Sequence, residues 1–264
     1  MVRALIEGEN IRFALNGNRI IDGIDLEIQS GELFGLIGPN GSGKTTLLRL
    51  LSGNYPLKFG QIKIGGEDIS GFSAQQRARL ISVVPQHPEA PPGFTVWETI
   101  ISGRTPHLGR FGLETRKDRT IATDVLEQIS LQNMAERTLE TLSGGELQRV
   151  FLGRALCQQT PIMLLDEPTS NLDIGFKTEV LNIVSRIRAQ SKITVLVAMH
   201  DLSIVGHYCD RIVLLNQGVV ISTGLPNKVL CSSELSKIFN TETLVIPHPS
   251  DGSPVVLPKF GVID

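Results

Sequence analysis

Residues 38–45 read GPNGSGKT, between the apolar run Leu33–Ile37 and a helical pattern over Thr45–Ser52 that Gly53 stops. The pattern is G-x-x-x-x-G-K-[ST] in the strand–loop–helix setting that gives it a mechanism. A strand that feeds a helix through so short a loop points to α/β layering, with the helix packed back on a parallel sheet. The glycines let backbone N–H groups turn inward, and the helix beginning near Lys44 adds the positive end of its dipole. Together these features suit a chain of phosphates. Lys44 brings a mobile point charge to the β- and γ-phosphates, and the Thr45 hydroxyl suits Mg²⁺, which prefers hard oxygen ligands. The expected ATP contacts are Gly38, Pro39, Asn40, Gly41, Ser42, Gly43, Lys44, Thr45 and Thr46.

The remaining pattern supports a parallel sheet covered on both faces. Ile162–Leu165 and Ile193–Met199 are continuous apolar runs of buried-strand type, separated by a helical stretch over Phe176–Ala189. Ile81–Val84 predicts another strand after the helix Ala74–Leu80. Residues 2–29 instead alternate apolar and polar positions around an Asn16-Gly17 turn, which predicts antiparallel strands. Ile62, Ile64 and Gly65-Gly66 predict a further strand and turn, and Arg211–Ser222 a hairpin about Asn216-Gln217-Gly218. Ile121–Ile129 and Glu146–Cys157 read as helices, 226–240 as weakly helical, and the tail Thr241–Asp264 as a small strand pair. Residues 87–115 are rich in Pro, Gly and Arg and hold the only tryptophan, Trp97.

Two further motifs carry chemistry. In IMLLDE, residues 162–167, four apolar residues place Asp166 and Glu167 at the carboxyl end of a buried strand, the edge where open α/β sheets bind ligands. Asp166 suits Mg²⁺, and Glu167 suits orienting and deprotonating an attacking water. Read alone, the pair equally fits a strand that ends in solvated acids. In LSGGELQ, residues 142–148, Ser143 and Glu146 form a capping box on the helix Glu146–Cys157. Gly144 and Gly145 also leave that helix N-terminus bare toward an anion. Since the chain already has one phosphate loop, a second phosphate-facing element makes sense if it serves a nucleotide held by another copy.

GPNGSGKTT, LSGGELQR, IMLLDEPTSNLD and the histidine of AMHD, in this order, resemble the nucleotide-binding domain of ABC transporters over almost the whole chain. LSGGE separates that family from other P-loop ATPases. The resemblance implies a P-loop NTPase fold: a RecA-like core over roughly 1–86 and 161–240, with an N-terminal antiparallel β subdomain. An α-helical subdomain would be inserted at roughly 87–160, followed by a tail at 241–264. It also implies a head-to-tail homodimer with ATP and Mg²⁺ sandwiched between subunits. By position, Gln86 resembles the glutamine that senses Mg²⁺ and water. Ser143, Gly144 and Gly145 would contact the partner's γ-phosphate. Asp173 resembles the aspartate that links the two sites, and His200 the histidine on the γ-phosphate. One position departs from the family: Leu15 stands where an aromatic residue often stacks on adenine, with Phe13 two positions earlier on the same expected strand face.

Trp97 and GRTPHLGRFG, with the tail PHPSDGSPVVLP, resemble the ATPases of iron–siderophore, haem and cobalamin importers. That resemblance implies integral membrane permease subunits as partners, docked on a surface including Trp97, Arg104 and Arg110. A periplasmic or lipid-anchored substrate-binding protein would act indirectly. The expected place is the cytoplasmic face of the membrane: three scattered cysteines fit a reducing compartment, and no apolar run reaches the ~20 residues a span needs. A net charge of −2 offers no bulk attraction for nucleic acid. The alternative is a soluble ABC ATPase of iron–sulfur assembly. A repair ATPase would need long coiled coils, and only 56 residues without heptads separate Gln86 from Ser143.

Overall fold

The computed structural model describes residues 4–89, 92–109, 112–170 and 173–259. In chain order these form β1 (Ala4–Leu15), β2 (Asn18–Gln29), β3 (Leu33–Ile37), α1 (Lys44–Leu51), β4 (Phe59–Ile64), β5 (Glu67–Asp68), α2 (Ala74–Leu80) and β6 (Ile81–Val84). Then come α3 (Val96–Ile101), α4 (Arg116–Gln128), α5 (Gly144–Cys157), β7 (Ile162–Asp166), α6 (Ile174–Ser191) and β8 (Thr194–Ala198). The chain continues through α7 (Leu202–Tyr208), β9 (Arg211–Asn216), β10 (Val219–Gly224), α8 (Pro226–Val229), α9 (Ser232–Phe239), β11 (Thr243–Pro247) and β12 (Pro254–Pro258). They fall into two compact units, one running to Gly71 and resuming at Thr194, the other spanning Phe72–Ile193.

The first unit contains two larger sheets and a two-stranded one at the tail. β3 runs parallel to β8 on one side and β9 on the other, and β10 closes antiparallel on β9. Every residue of β3 and β8 is buried, which is why both read as unbroken apolar runs. The other sheet has the order β2-β1-β4-β5, all antiparallel. Asn16 and Gly17, both at positive φ (50° and 81°), make the two-residue turn between β1 and β2. The β1–β2 pairing slips between Gly8 and Ile11, where Asn10 sits at φ 47° and its N–H donates to Asp25 Oδ1. The tail forms the β11–β12 hairpin, tied to α7 by Val256 N–H donating to Ser203 Oγ (3.0 Å).

The second unit pairs β6 parallel to β7 and otherwise is helical. Four of its helices start with the same device. Ser73, Thr95, Thr115 and Ser143 each accept the N3 backbone N–H while the N3 side chain returns to the cap N–H. α3 lies within the Pro- and Gly-rich stretch 87–115, where the composition predicts no helix but Thr95 and Glu98 carry its start signal.

Arg104 corrects an expectation. It is 4 % exposed, so it is no docking surface. Its guanidinium donates to Asp118 Oδ1 (2.9 Å), Cys157 O (2.9 Å) and Gln159 Oε1 (3.1 Å). A planar five-donor head reaches three acceptors on two segments, the start of α4 and the end of α5. Trp97 is half-buried, its backbone N–H on Ala135 O, and Arg110 lies outside the described residues. Thr115, through hydroxyl and N–H, together with Arg104 holds the Asp118 carboxyl down at about 2, whereas burial pushes the Cys157 thiol up to about 12.

Because the folded pKa of Asp118 lies below the ordinary carboxylate value, its contribution is complete above about pH 4 and fades as pH falls toward 2. Asp118→Asn leaves a buried guanidinium without its counter-charge. It should cost about 3 kcal/mol in urea unfolding at pH 7 and flatten the stability profile between about pH 4 and 2. A variant as stable as the parent would contradict this account.

Candidate nucleotide site

The loop after β3 is shaped by backbone contacts. Gly38, Gly41 and Gly43 sit at φ 150°, 77° and 103°. A Cβ on Gly38 would fall 2.1 Å from Leu215 O, and one on Gly43 would fall 2.7 Å from Ile21 Cδ1. The β9–β10 turn holds the loop from below: Gly218 N–H donates to Ser42 O (3.0 Å), and Gly218 O accepts from Asp22 N–H (2.9 Å). Lys44 is 6 % exposed, and its ammonium bridges Gly38 O (2.9 Å) and Pro39 O (3.1 Å), bracing the loop it serves.

α1 starts at the end of this loop. Its N-cap is Gly43, with no side-chain cap and no acid in the first turn, and the ladder opens with Leu47 N–H on Gly43 O. Ser42 Oγ is buried without a hydrogen-bond partner at the same turn. An anion at this terminus fits both observations. His200 leaves the sheet at the same edge: Met199 N–H donates to Leu36 O, one residue before the loop's entry at Ile37, and His200 is exposed.

Beside β1 lies a cavity of about 450 Å³ lined by Arg12, Phe13, Ala14, Arg19, Lys58 and Phe59. Phe13 is only 9 % exposed and stacks on Tyr55 (5.2 Å, 10°), so one of its faces is already covered. Leu15 is 47 % exposed. Phe59, 67 % exposed and paired in register with Arg12, is an aromatic that the sequence reading passed over. Its signal was weak, since it stands at the frayed start of β4.

In the second unit, Asp166 ends β7 and is 8 % exposed. Glu167 follows at φ 45°, a left-handed backbone that costs a side-chain-bearing residue about 1–3 kcal/mol and clusters at working sites. Gln86 Nε2 donates to Glu167 Oε2 (2.9 Å), joining residues 81 apart in sequence. With the amide nitrogen so engaged, the carbonyl oxygen of Gln86 is its atom for a cation. The carboxylate of Asp166 and that amide oxygen are hard donors of the kind Mg²⁺ takes, as is, in the first unit, the hydroxyl of Thr45.

The signature segment is capped as expected. Ser143 Oγ accepts from Glu146 N–H (3.3 Å), and Glu146 Oε2 accepts from Ser143 N–H (2.7 Å) and Oγ–H (2.8 Å). These bonds to Ser143 keep the Glu146 carboxyl below the usual range. Its two glycines differ: Gly144 faces open space, whereas a Cβ on Gly145 would meet the Phe176 ring at 2.8 Å. Asp173 caps α6, its Oδ1 accepting Phe176 N–H (3.0 Å). Thus the first unit gathers the loop and His200, and the second gathers Gln86 with Glu167 and Gly145 with the start of α6.

A phosphate loop on a parallel strand, with an acid pair ending another and a capped LSGGE helix, defines a P-loop nucleotide-binding protein. The family model for ABC transporters matches residues 21–170, and the chain belongs to that family. It is 36 % identical over 244 residues to a cobalamin import ATP-binding protein of Halobacterium salinarum, covering 92 % of this chain and 61 % of that one. It is 36 % identical over 248 residues to a hemin import ATP-binding protein of Streptomyces coelicolor, covering 94 % and 88 %. The chain spans 57 % and 61 % of the length of the first curated relatives it matches, less than two thirds. A solved metal-chelate type ABC transporter in an inward-facing conformation has the same fold, with TM-score 0.86 at 24 % identity over 99 % of this chain and 100 % of that one.

Lys44→Ala removes both the loop brace and the phosphate charge. Tight ATP binding should be lost in equilibrium titration with a fluorescent ATP analogue, and unchanged affinity would refute the loop assignment.

Proposed function

We propose that this protein is the ATP-hydrolysing subunit of an ABC importer for a metal chelate: an iron–siderophore, haem or cobalamin. The observation that carries hydrolysis is the Gln86–Glu167 hydrogen bond on a strained Glu167 backbone. The names of the relatives support import of a chelate over the soluble alternative.

In this reading, residues 38–46 wrap the phosphates with backbone N–H groups, and Lys44 swings from the loop carbonyls to the β- and γ-oxygens. Thr45, Asp166 and Gln86 hold Mg²⁺, which when bound neutralises charge developing on the phosphates. Glu167, oriented by Gln86, accepts a proton from the attacking water, and His200 donates a hydrogen bond to the γ-phosphate. Ser143, Gly144 and Gly145 of a second copy close on that γ-phosphate, and Asp173 connects the two sites. Hydrolysis therefore needs a head-to-tail dimer, and dimer closure is the movement passed to the permease subunits. As the ATP-binding subunit of an importer, like the relatives it resembles, the protein is peripheral on the cytoplasmic membrane face; no described helix is long and apolar enough to cross a membrane. A substrate-binding protein selects the cargo outside.

Two substitutions test this. Glu167→Gln keeps the hydrogen-bond geometry but removes the base, so turnover should fall by about 10²-fold or more while ATP binding persists. Undiminished turnover would sink the role given to Glu167. Ser143→Arg should abolish turnover without weakening ATP binding to the isolated subunit, and persisting turnover would show that the site is not shared.

A further inference from the structure

The LSGGE helix and the aspartate that links the sites are separate motifs in sequence, yet they meet through Phe176, a side chain that neither motif contains. Gly145 is the second residue of α5 and is buried. Alanine is ordinarily favoured over glycine in a helix, so a buried glycine here calls for a cause. The cause is the Phe176 ring: a Cβ on Gly145 would lie 2.8 Å from Cδ1, 2.9 Å from Cγ and 3.1 Å from Cε1. Arg149, one turn along α5 on the same face, sets its guanidinium carbon 5.8 Å from the centroid of that ring. Arg149 is 8 % exposed and donates to Glu179 Oε1 (2.6 Å), one turn further along α6. Phe176 also gives its own N–H to Asp173 Oδ1 (3.0 Å).

We infer that Phe176, packed against the Arg149 guanidinium that Glu179 anchors, is a positioning residue for hydrolysis in the partner's site. It joins Asp173 and Ser143–Gly145 of one subunit into one unit, so that both are presented to the nucleotide together. Gly144, which faces open space, serves the phosphate approach alone, while the missing side chain of Gly145 also serves the joint. The inference rests on the shared-site reading above. A displacement near 1 Å of groups that close on a γ-phosphate costs on the order of 10²-fold in rate, so a joint of this kind matters to kcat.

The test uses the full chain with Mg·ATP and the variants Phe176→Ala, Phe176→Leu, Gly145→Ala, and Gly145→Ala combined with Phe176→Ala. Three readouts are followed: thermal midpoint, ATP affinity of the isolated subunit, and kcat with its Hill coefficient. Phe176→Ala should lower kcat at least about tenfold and lower the Hill coefficient, with ATP affinity within about twofold of the parent. Phe176→Leu, which keeps bulk against the glycine, should recover part of that loss. Gly145→Ala should also be slow, and removing the ring in the double variant should restore its activity to that of Phe176→Ala alone. A Phe176→Ala enzyme with parental kcat and Hill coefficient would overturn the proposal. So would a double variant with the two losses multiplied, since Gly145 would then act independently of the ring. If Ser143→Arg leaves turnover intact, it is the shared-site reading that fails.

Discussion

The whole arrangement depends on backbone meeting backbone beneath the phosphate loop. Gly38 approaches Leu215 O too closely for any side chain, and Gly218 donates to Ser42 O while accepting from Asp22. The β9–β10 turn is therefore fixed between the loop and the first residues of β2 by backbone hydrogen bonds. Such a contact has a single solution, and preorganised N–H groups bind an anion without the cost of ordering the loop at that moment. The energetic expense is moved to the glycines, whose positive φ values no bulkier residue would take easily.

The same economy recurs where the second unit carries its chemistry. Glu167 bears a left-handed backbone, so its carboxylate leaves β7 in a direction that ordinary strand geometry would not provide, and Gln86 secures it. The capping box on α5 fixes Ser143 through two reciprocal bonds, keeping the helix N-terminus in place while Gly144 leaves it uncovered. Asp173 spends its carboxylate on α6. In each case the residue read as functional also terminates or starts an element, which ties its position to the rigidity of that element.

Elements were legible wherever one local rule decided them. The unbroken apolar runs gave β3, β7 and β8 nearly to the residue, and Asn16-Gly17 gave the first hairpin. The acid pair, the loop and the capped signature were visible because each needs a short spacing. What escaped depends on distance in the chain. Arg104 reads as a surface charge in a loop, and only the fold shows that Asp118, Cys157 and Gln159 saturate it. Phe13 reads as a base-stacking aromatic until Tyr55 covers one of its faces. Phe176 reads as one apolar position of a helix, since nothing near it in sequence points to Gly145. α3 escaped for a different reason: composition outweighed the T-x-x-E start signal.

The central claim is that one phosphate loop works with the signature segment of a second copy, and mixing two inactive proteins tests it most directly. Lys44→Ala and Ser143→Arg subunits are each unable to build a working site with themselves. In the mixed dimer the Lys44 of one subunit meets the unaltered Ser143 of the other, so one site is intact. An equimolar mixture should regain about a quarter of parental turnover, as half of the dimers each recover one site of two. A mixture as inactive as its components would contradict the claim.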